Sequence, residues 1–142
     1  MAWEEAPISG SSASLELLEP LALARRPVQL KEQIVHGDLL GNVLFADGAT
    51  PTIIDWSPYW RPVSWTMAVA VVDALCWYGA GPPVVERWSH LPEWGQMLVR
   101  ALIYRIATRD AAFGADAQVR EPNSAYRPVV AMAVAAAGRP VG

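Results

Sequence analysis

Three oxygen-bearing side chains stand close together in the middle of the chain: Asp38 and Asn42 in the string HGDLLGNVLF (residues 36–45), and Asp55 in IIDW (residues 53–56). Two carboxylates and a carboxamide are hard oxygen donors. They suit Mg2+, which takes one or two protein carboxylates and completes its shell with water and phosphate oxygens. Each residue also has a plainer reading. Asp38 by itself is an ordinary turn or cap residue, and Asp55 is placed to cap the Ser57-Pro58 turn. The argument for chemistry rests on all three converging.

Convergence depends on the elements that carry them. Gln33 to Val35 reads as a short strand, Asn42 to Phe45 as a second and Thr52 to Ile54 as a third. Asp47-Gly48 lies between the last two and marks a hairpin, although the connection exceeds two residues. A hairpin over roughly residues 42–55 brings Asn42 and Asp55 together at its open end, and the loop holding Asp38 leads into Asn42. Around this β-rich middle the chain reads helical. A helix is expected over Ser14 to Arg25, capped by Ser14 or Ser12 and stopped by Pro27. Ser64 to Tyr78 is apolar on nearly every side and so reads as a buried helix. A short helix follows at Val84 to Trp88. A longer one, Pro92 to Thr108, places Trp94, Met97, Leu98, Ala101, Leu102 and Arg105 on one mostly apolar stripe. Asn123 is expected to cap a last helix through Ala137, and residues 1–12 to be frayed. The fold class that follows is α+β, mainly α, with a small β-hairpin.

Asp73 lies inside the helix that is apolar all round. A buried carboxylate without partners is too costly to persist, so its partners are either amides of the Asp38 loop or a nearby arginine. Cys76, beside Trp77, reads as an ordinary core cysteine. Trp56, Tyr59, Trp60 and Trp65 either line a substrate pocket or pack the core, and His90 reads as a helix-start residue.

The order His36-Gly37-Asp38, Asn42, hairpin, Ile54-Asp55 resembles the catalytic segment of aminoglycoside phosphotransferases and, more distantly, of protein kinases. The likeness is closest to an actinobacterial branch with an HGD…GNVLF…ID…SPYWRP arrangement. It is good over about residues 30–80 and loose beyond. It implies a protein-kinase-like C-terminal lobe over residues 13–142. Asp38 would be the base that accepts or orients a substrate hydroxyl proton, and Asn42 and Asp55 the Mg2+ ligands. His36 would brace the loop, Leu44 would lie beneath the adenine of ATP, and Asp73 would hold the catalytic-loop backbone. The chain departs from that pattern in two places. Only Leu39, Leu40 and Gly41 separate Asp38 from Asn42, where the family has four residues, and Trp56 replaces a smaller apolar residue. One residue of extended chain spans about 3.3–3.6 Å, more than an Mg–O bond of about 2.0–2.1 Å, so Gly41 must re-route the backbone if Asn42 is to reach a metal. No Gly-rich phosphate loop is present, and Lys31, the sole lysine, lies too near His36 to be the phosphate-pairing lysine. The resemblance therefore implies a lobe whose nucleotide-covering N-lobe is missing or is a partner chain.

Composition narrows the alternatives. The chain has 142 residues, 53% hydrophobic and 18% charged, with seven Trp. That is low in charge against about 25% in ordinary domains. It means either a large core or a surface that packs on something else. A net charge of −3 with no basic run argues against nucleic acid. Glu4 and Glu5 stand where a signal peptide would be basic, and the longest apolar run, Met67 to Val72, is too short to span a bilayer. A single cysteine fits a reducing, cytoplasmic setting. The leading expectation is an ATP- and Mg2+-dependent phosphotransferase lobe acting on a small-molecule hydroxyl, inactive alone. Against it stand a non-catalytic remnant or interaction module, and a metal-dependent hydrolase built on His36, Asp38 and Asp55, which two histidines serve poorly.

Overall fold

The computed structural model describes residues 1–3, 7–113 and 120–138. Helix α1 (Ser12–Ala24) opens at Ser11, whose hydroxyl accepts from the Ser14 amide, one residue before Ser12 and three before Ser14, the expected caps. Ser11 wins because Asp110 also holds it: the Ser11 amide donates to Asp110 at 2.5 Å and the hydroxyls of Ser11 and Ser14 donate at 2.9 and 2.8 Å. Leu17, Leu18 and Leu21 of α1 are buried.

Strand β1 (Gln33–His36) leads into the loop of Asp38 and pairs antiparallel with a strand the sequence reading did not assign, Pro58–Arg61. The register runs Gln33↔Arg61, Ile34↔Trp60, Val35↔Tyr59 and His36↔Pro58. Prolines at 58 and 62 hid it, yet Pro58 opens the strand, where a missing N–H is tolerated. The expected hairpin is present as β2 (Val43–Leu44) and β3 (Thr52–Ile53), in the register Val43↔Ile53 and Leu44↔Thr52, and the late strand is β4. The architecture is thus mixed α+β with two small two-stranded antiparallel sheets.

Helices α2 (Val63–Trp77), α3 (Pro83–Arg87), α4 (Trp94–Phe113) and α5 (Arg120–Ala137) complete the fold. Helix α4 runs five residues past the expected end at Thr108. Asn123, expected to open the last helix, lies inside α5, which is already helical at Arg120. Helix α4 is the centre of the body and packs on α1, α2 and α5. Met97, Leu98, Leu102 and Ile106 meet Trp65, Val69 and Val72 of α2, Leu18 and Leu21 of α1, and Tyr126, Val129 and Ala133 of α5 in one core. Each fully buried side chain of this size contributes about 1.5–3 kcal/mol. The first twelve residues, expected to fray, contribute to it where they are described. Trp3 stands edge-on to Trp65 at 6.4 Å, with the guanidiniums of Arg61 and Arg100 over its ring at 4.8 and 5.1 Å. Residues 4–6 lie outside the described residues. Among the described residues no helix is long and apolar enough to cross a membrane.

Candidate functional site

The loop between β1 and β2 is built by three local devices. The first is His36, buried at the end of β1. Its Nδ1 accepts from the Asp38 amide at 3.0 Å, so Nε2 carries the proton and donates to the Ile54 carbonyl at 3.2 Å. One imidazole thereby ties the Asp38 loop to the strand leading to Asp55. The second is Gly37. A Cβ there would lie 2.5 Å from the Tyr59 ring, so only glycine lets the loop pass over the Tyr59–Trp65–Tyr104 cluster. The third is Gly41. The Asn42 amide donates to the Leu39 carbonyl at 3.0 Å, and Gly41, with φ of 86°, is the third residue of that turn. This is the type II geometry, which requires positive φ there. The turn that carries the chain from Asp38 back to Asn42 is thus located at Gly41.

The turn delivers Asn42 back onto Asp38. Its Nδ2 donates to the Asp38 carbonyl at 2.6 Å and reaches Asp38 Oδ2 at 3.4 Å. With the amide nitrogen so committed, Oδ1 is the atom Asn42 can offer to a cation. Asp55 follows β3 with φ of 53°. Positive φ is uncommon for any residue but glycine, though aspartate tolerates it better than most. Backbone in this region holds the turn that separates β3 from β4.

Asp38, Asn42 and Asp55 line one open cleft of about 680 Å3, and Asp73 and Arg105 line it with them. Trp77, Tyr78 and Tyr126 form its apolar side. Leu44 does not line it: it sits on the hairpin, 53% exposed. Another cavity of about 650 Å3, at the far end of α4, is bordered by His90 and by the Arg26–Glu93 ion pair, at 2.7 Å.

The arrangement turns on Arg105, which the sequence reading placed only as a member of an apolar stripe. Its Nε donates to Asp73 Oδ1 at 2.8 Å, its Nη2 to Asp73 Oδ2 and, at 2.6 Å, to Asp38 Oδ1. Of the two partners left open for Asp73, the arginine is the one found. The loop-backbone role implied for Asp73 is therefore corrected. Helix α2 reaches the loop through Thr66, whose hydroxyl donates to the His36 carbonyl. The side chains of Asp73 and Arg105 are only 9% and 15% exposed, while Asp38 is 44% exposed. Burial raises the Asp73 carboxyl above its ordinary value; the Arg105 bond opposes this and the nearby Asp38 charge adds to it. Burial also works against the Arg105 cation, but its bonds to Asp73 and then Asp38 outweigh that, so Arg105 is held charged. Burial, and then the Asp73 charge, push the Cys76 thiol up to about 12, which disfavours the reactive thiolate. No local signal singled out Arg105 over Arg100, which is also buried on α4; which of them meets Asp73 depends on which faces of α2 and α4 pack.

Among the described residues no group of three His, Cys, Asp or Glu side chains is placed to hold a metal ion. The donors open to the cleft are the Asp55 carboxylate and the Asn42 amide oxygen. That pair fits Mg2+, which keeps several waters and needs few protein ligands, and would not suit a metal demanding a complete protein cage.

No protein-family model, curated protein or solved structure matches this chain.

Proposed function

We propose that this chain is the catalytic-loop lobe of an ATP- and Mg2+-dependent, cytoplasmic phosphotransferase-like protein acting on a small-molecule hydroxyl, with the kinase-like C-terminal fold that its sequence resembles. The observation that carries the reading is the convergence of Asp38, Asn42 and Asp55 on one open cleft, from a loop and a hairpin braced by His36. In this reading the exposed Asp38 carboxylate orients a substrate hydroxyl and takes its proton. Asn42 Oδ1 and Asp55 hold Mg2+, which when bound supplies charge neutralisation for a transferring phosphoryl group. Trp77, Tyr78 and Tyr126 give the substrate an apolar wall and limit water.

The isolated chain is inactive in this reading. A positioned base contributes about 10²–10⁴-fold, against the 10⁶-fold or more that enzymes typically reach; the rest lies in clamping the phosphates. In this reading a further lobe or a partner chain supplies that clamp. The exposed apolar side chains of the hairpin region, Phe45 at 77% and Trp56 at 62% with Leu44, Ile53 and Trp60, support such a partner. The same patch favours the second reading, a non-catalytic kinase-like interaction module. Calorimetric titration of the chain with ATP and Mg2+, beside an ATP-turnover assay, separates the two. The first reading expects weak, Mg2+-dependent nucleotide binding that Asp55→Asn abolishes. Absence of any nucleotide binding, with or without Mg2+, leaves the interaction module.

A further inference from the structure

We infer that Arg105 positions the Asp38 carboxylate and reserves it from metal, so that a divalent ion is confined to Asp55 and Asn42. The inference rests on the proposed reading only in taking the cleft to be one that meets a divalent cation.

The charges decide it. Three carboxylates, Asp38, Asp55 and Asp73, and two guanidiniums, Arg105 and Arg109, line the cleft, with Arg109 over the Trp77 ring at 5.7 Å. Arg105 is bonded to two of the carboxylates, through Nε and Nη2 to Asp73 and through Nη2 to Asp38. Asp55 accepts no hydrogen bond from any described residue. The Asp38 carboxylate is occupied on both oxygens, Oδ1 by Arg105 at 2.6 Å and Oδ2 by the Asn42 amide at 3.4 Å. A metal approaching Asp38 would have to displace a guanidinium that Asp73 holds from the buried side. A metal approaching Asp55 displaces only water. A guanidinium about 4 Å from a divalent ion repels it, and even with the screening of water this is expected to weaken the ion's affinity for Asp38 by more than about tenfold. It also fixes the Asp38 side chain toward the cleft from the helix side, which is the orientation a hydroxyl-facing carboxylate needs.

The test is a Mn2+ titration of the 142-residue chain, with free Mn2+ counted by electron paramagnetic resonance and Trp fluorescence quenching as a second signal. Asp55→Asn is expected to remove Mn2+ binding, while Asp38→Asn leaves it within a factor of about two. Because Arg105→Gln alone leaves Asp73 buried and unpaired, the informative variant is Asp73→Asn with Arg105→Gln, checked for folding by circular dichroism. That double variant should bind Mn2+ at least about tenfold more tightly, and the gain should vanish when Asp38→Asn is added. Arg105→Lys, which keeps the charge but loses the forked bonds, should lie closer to the unaltered chain than the double variant does. Equal loss of Mn2+ from Asp38→Asn and Asp55→Asn in the otherwise unaltered chain would overturn the inference, and so would unchanged Mn2+ affinity in the double variant. Nucleotide binding is scored separately. If no variant binds ATP while the Mn2+ pattern holds, the phosphotransferase reading fails and the role of Arg105 stands.

Discussion

Removing one member of the Asp73–Arg105 pair should cost far more than removing both. The two side chains are nearly withdrawn from solvent and share two hydrogen bonds between α2 and α4. Stranding a charge in such a place costs about 3–5 kcal/mol. The Asp38 arm of the same guanidinium is 44% exposed and belongs with surface pairs, at about 0–1 kcal/mol. Asp73→Ala and Arg105→Ala are therefore each expected to lose about 3 kcal/mol, and Asp38→Ala less than about 1 kcal/mol. The Asp73→Ala/Arg105→Ala double variant should fall short of the summed loss by about 2–3 kcal/mol, within the range of coupling seen for contacting residues. Urea unfolding followed by Trp fluorescence and by circular dichroism measures all four, with the slope compared to verify a common transition. The pH dependence adds a second reading. Burial raises Asp73, so its contribution is best below the ordinary carboxylate value and declines as pH rises through its folded-state value. Without Arg105 to oppose that, Arg105→Ala should lose stability more steeply than the unaltered chain as pH rises above the ordinary carboxylate range. Additive single losses, or an Arg105→Ala chain whose stability is flat over that rise, would refute the reasoning.

Asp110 works with the opposite sign. Burial pushes its carboxyl up, but the bonds from the Ser11 amide and the two serine hydroxyls outweigh this and hold it below its ordinary value. Its contribution is thus present above about pH 4 and lost as pH falls through the lower folded-state value. Asp110→Ala should cost about 1–2 kcal/mol at pH 7 in thermal melts, with the gap narrowing toward pH 3. Gly41→Ala should lose about 1–2 kcal/mol by forcing a side chain into φ of 86°, whereas Gly41→Asn, which tolerates that region, should lose less. Thr66→Val keeps shape and removes the bond to the His36 carbonyl. It should cost about 1–3 kcal/mol in chemical melts, the penalty for a buried acceptor left unmade. Cys76 should resist a thiol reagent at pH 8 in the folded chain and react once urea is added, since burial holds its thiol at about 12.

The helices were legible because their apolar periodicity is strong. The buried α2 and the stripe of α4 appear where Ser64–Tyr78 and Pro92–Thr108 were read, with the ends shifted by a few residues. The hairpin was legible through Asp47-Gly48. Strand β4 was not, because Pro58 and Pro62 read as punctuation and only its partner β1 makes a strand of it. The caps failed for a related reason. Ser11 is chosen over Ser12 and Ser14 by Asp110, ninety-nine positions away, and nothing local records that. In the site, loop and hairpin residues could be placed together from connectivity alone. The partner of Asp73 could not, because choosing between a backbone amide and Arg105 requires knowing which faces of α2 and α4 meet.

Asp38 and Asp55 face one cleft but belong to parts of the molecule that open on different scales. Asp38 is paired with Arg105 on α4, the helix that every other long helix packs against and whose own opening approaches the cost of global unfolding. Asp55 hangs from a hairpin whose strands are two residues each and whose side chains face solvent. That hairpin can open by itself, and its amides should exchange with deuterium orders of magnitude sooner than those of α4. One carboxylate of the cleft is therefore stationary and the other intermittent. Anything that seats on the hairpin and slows its opening sets how much of the time the two act together.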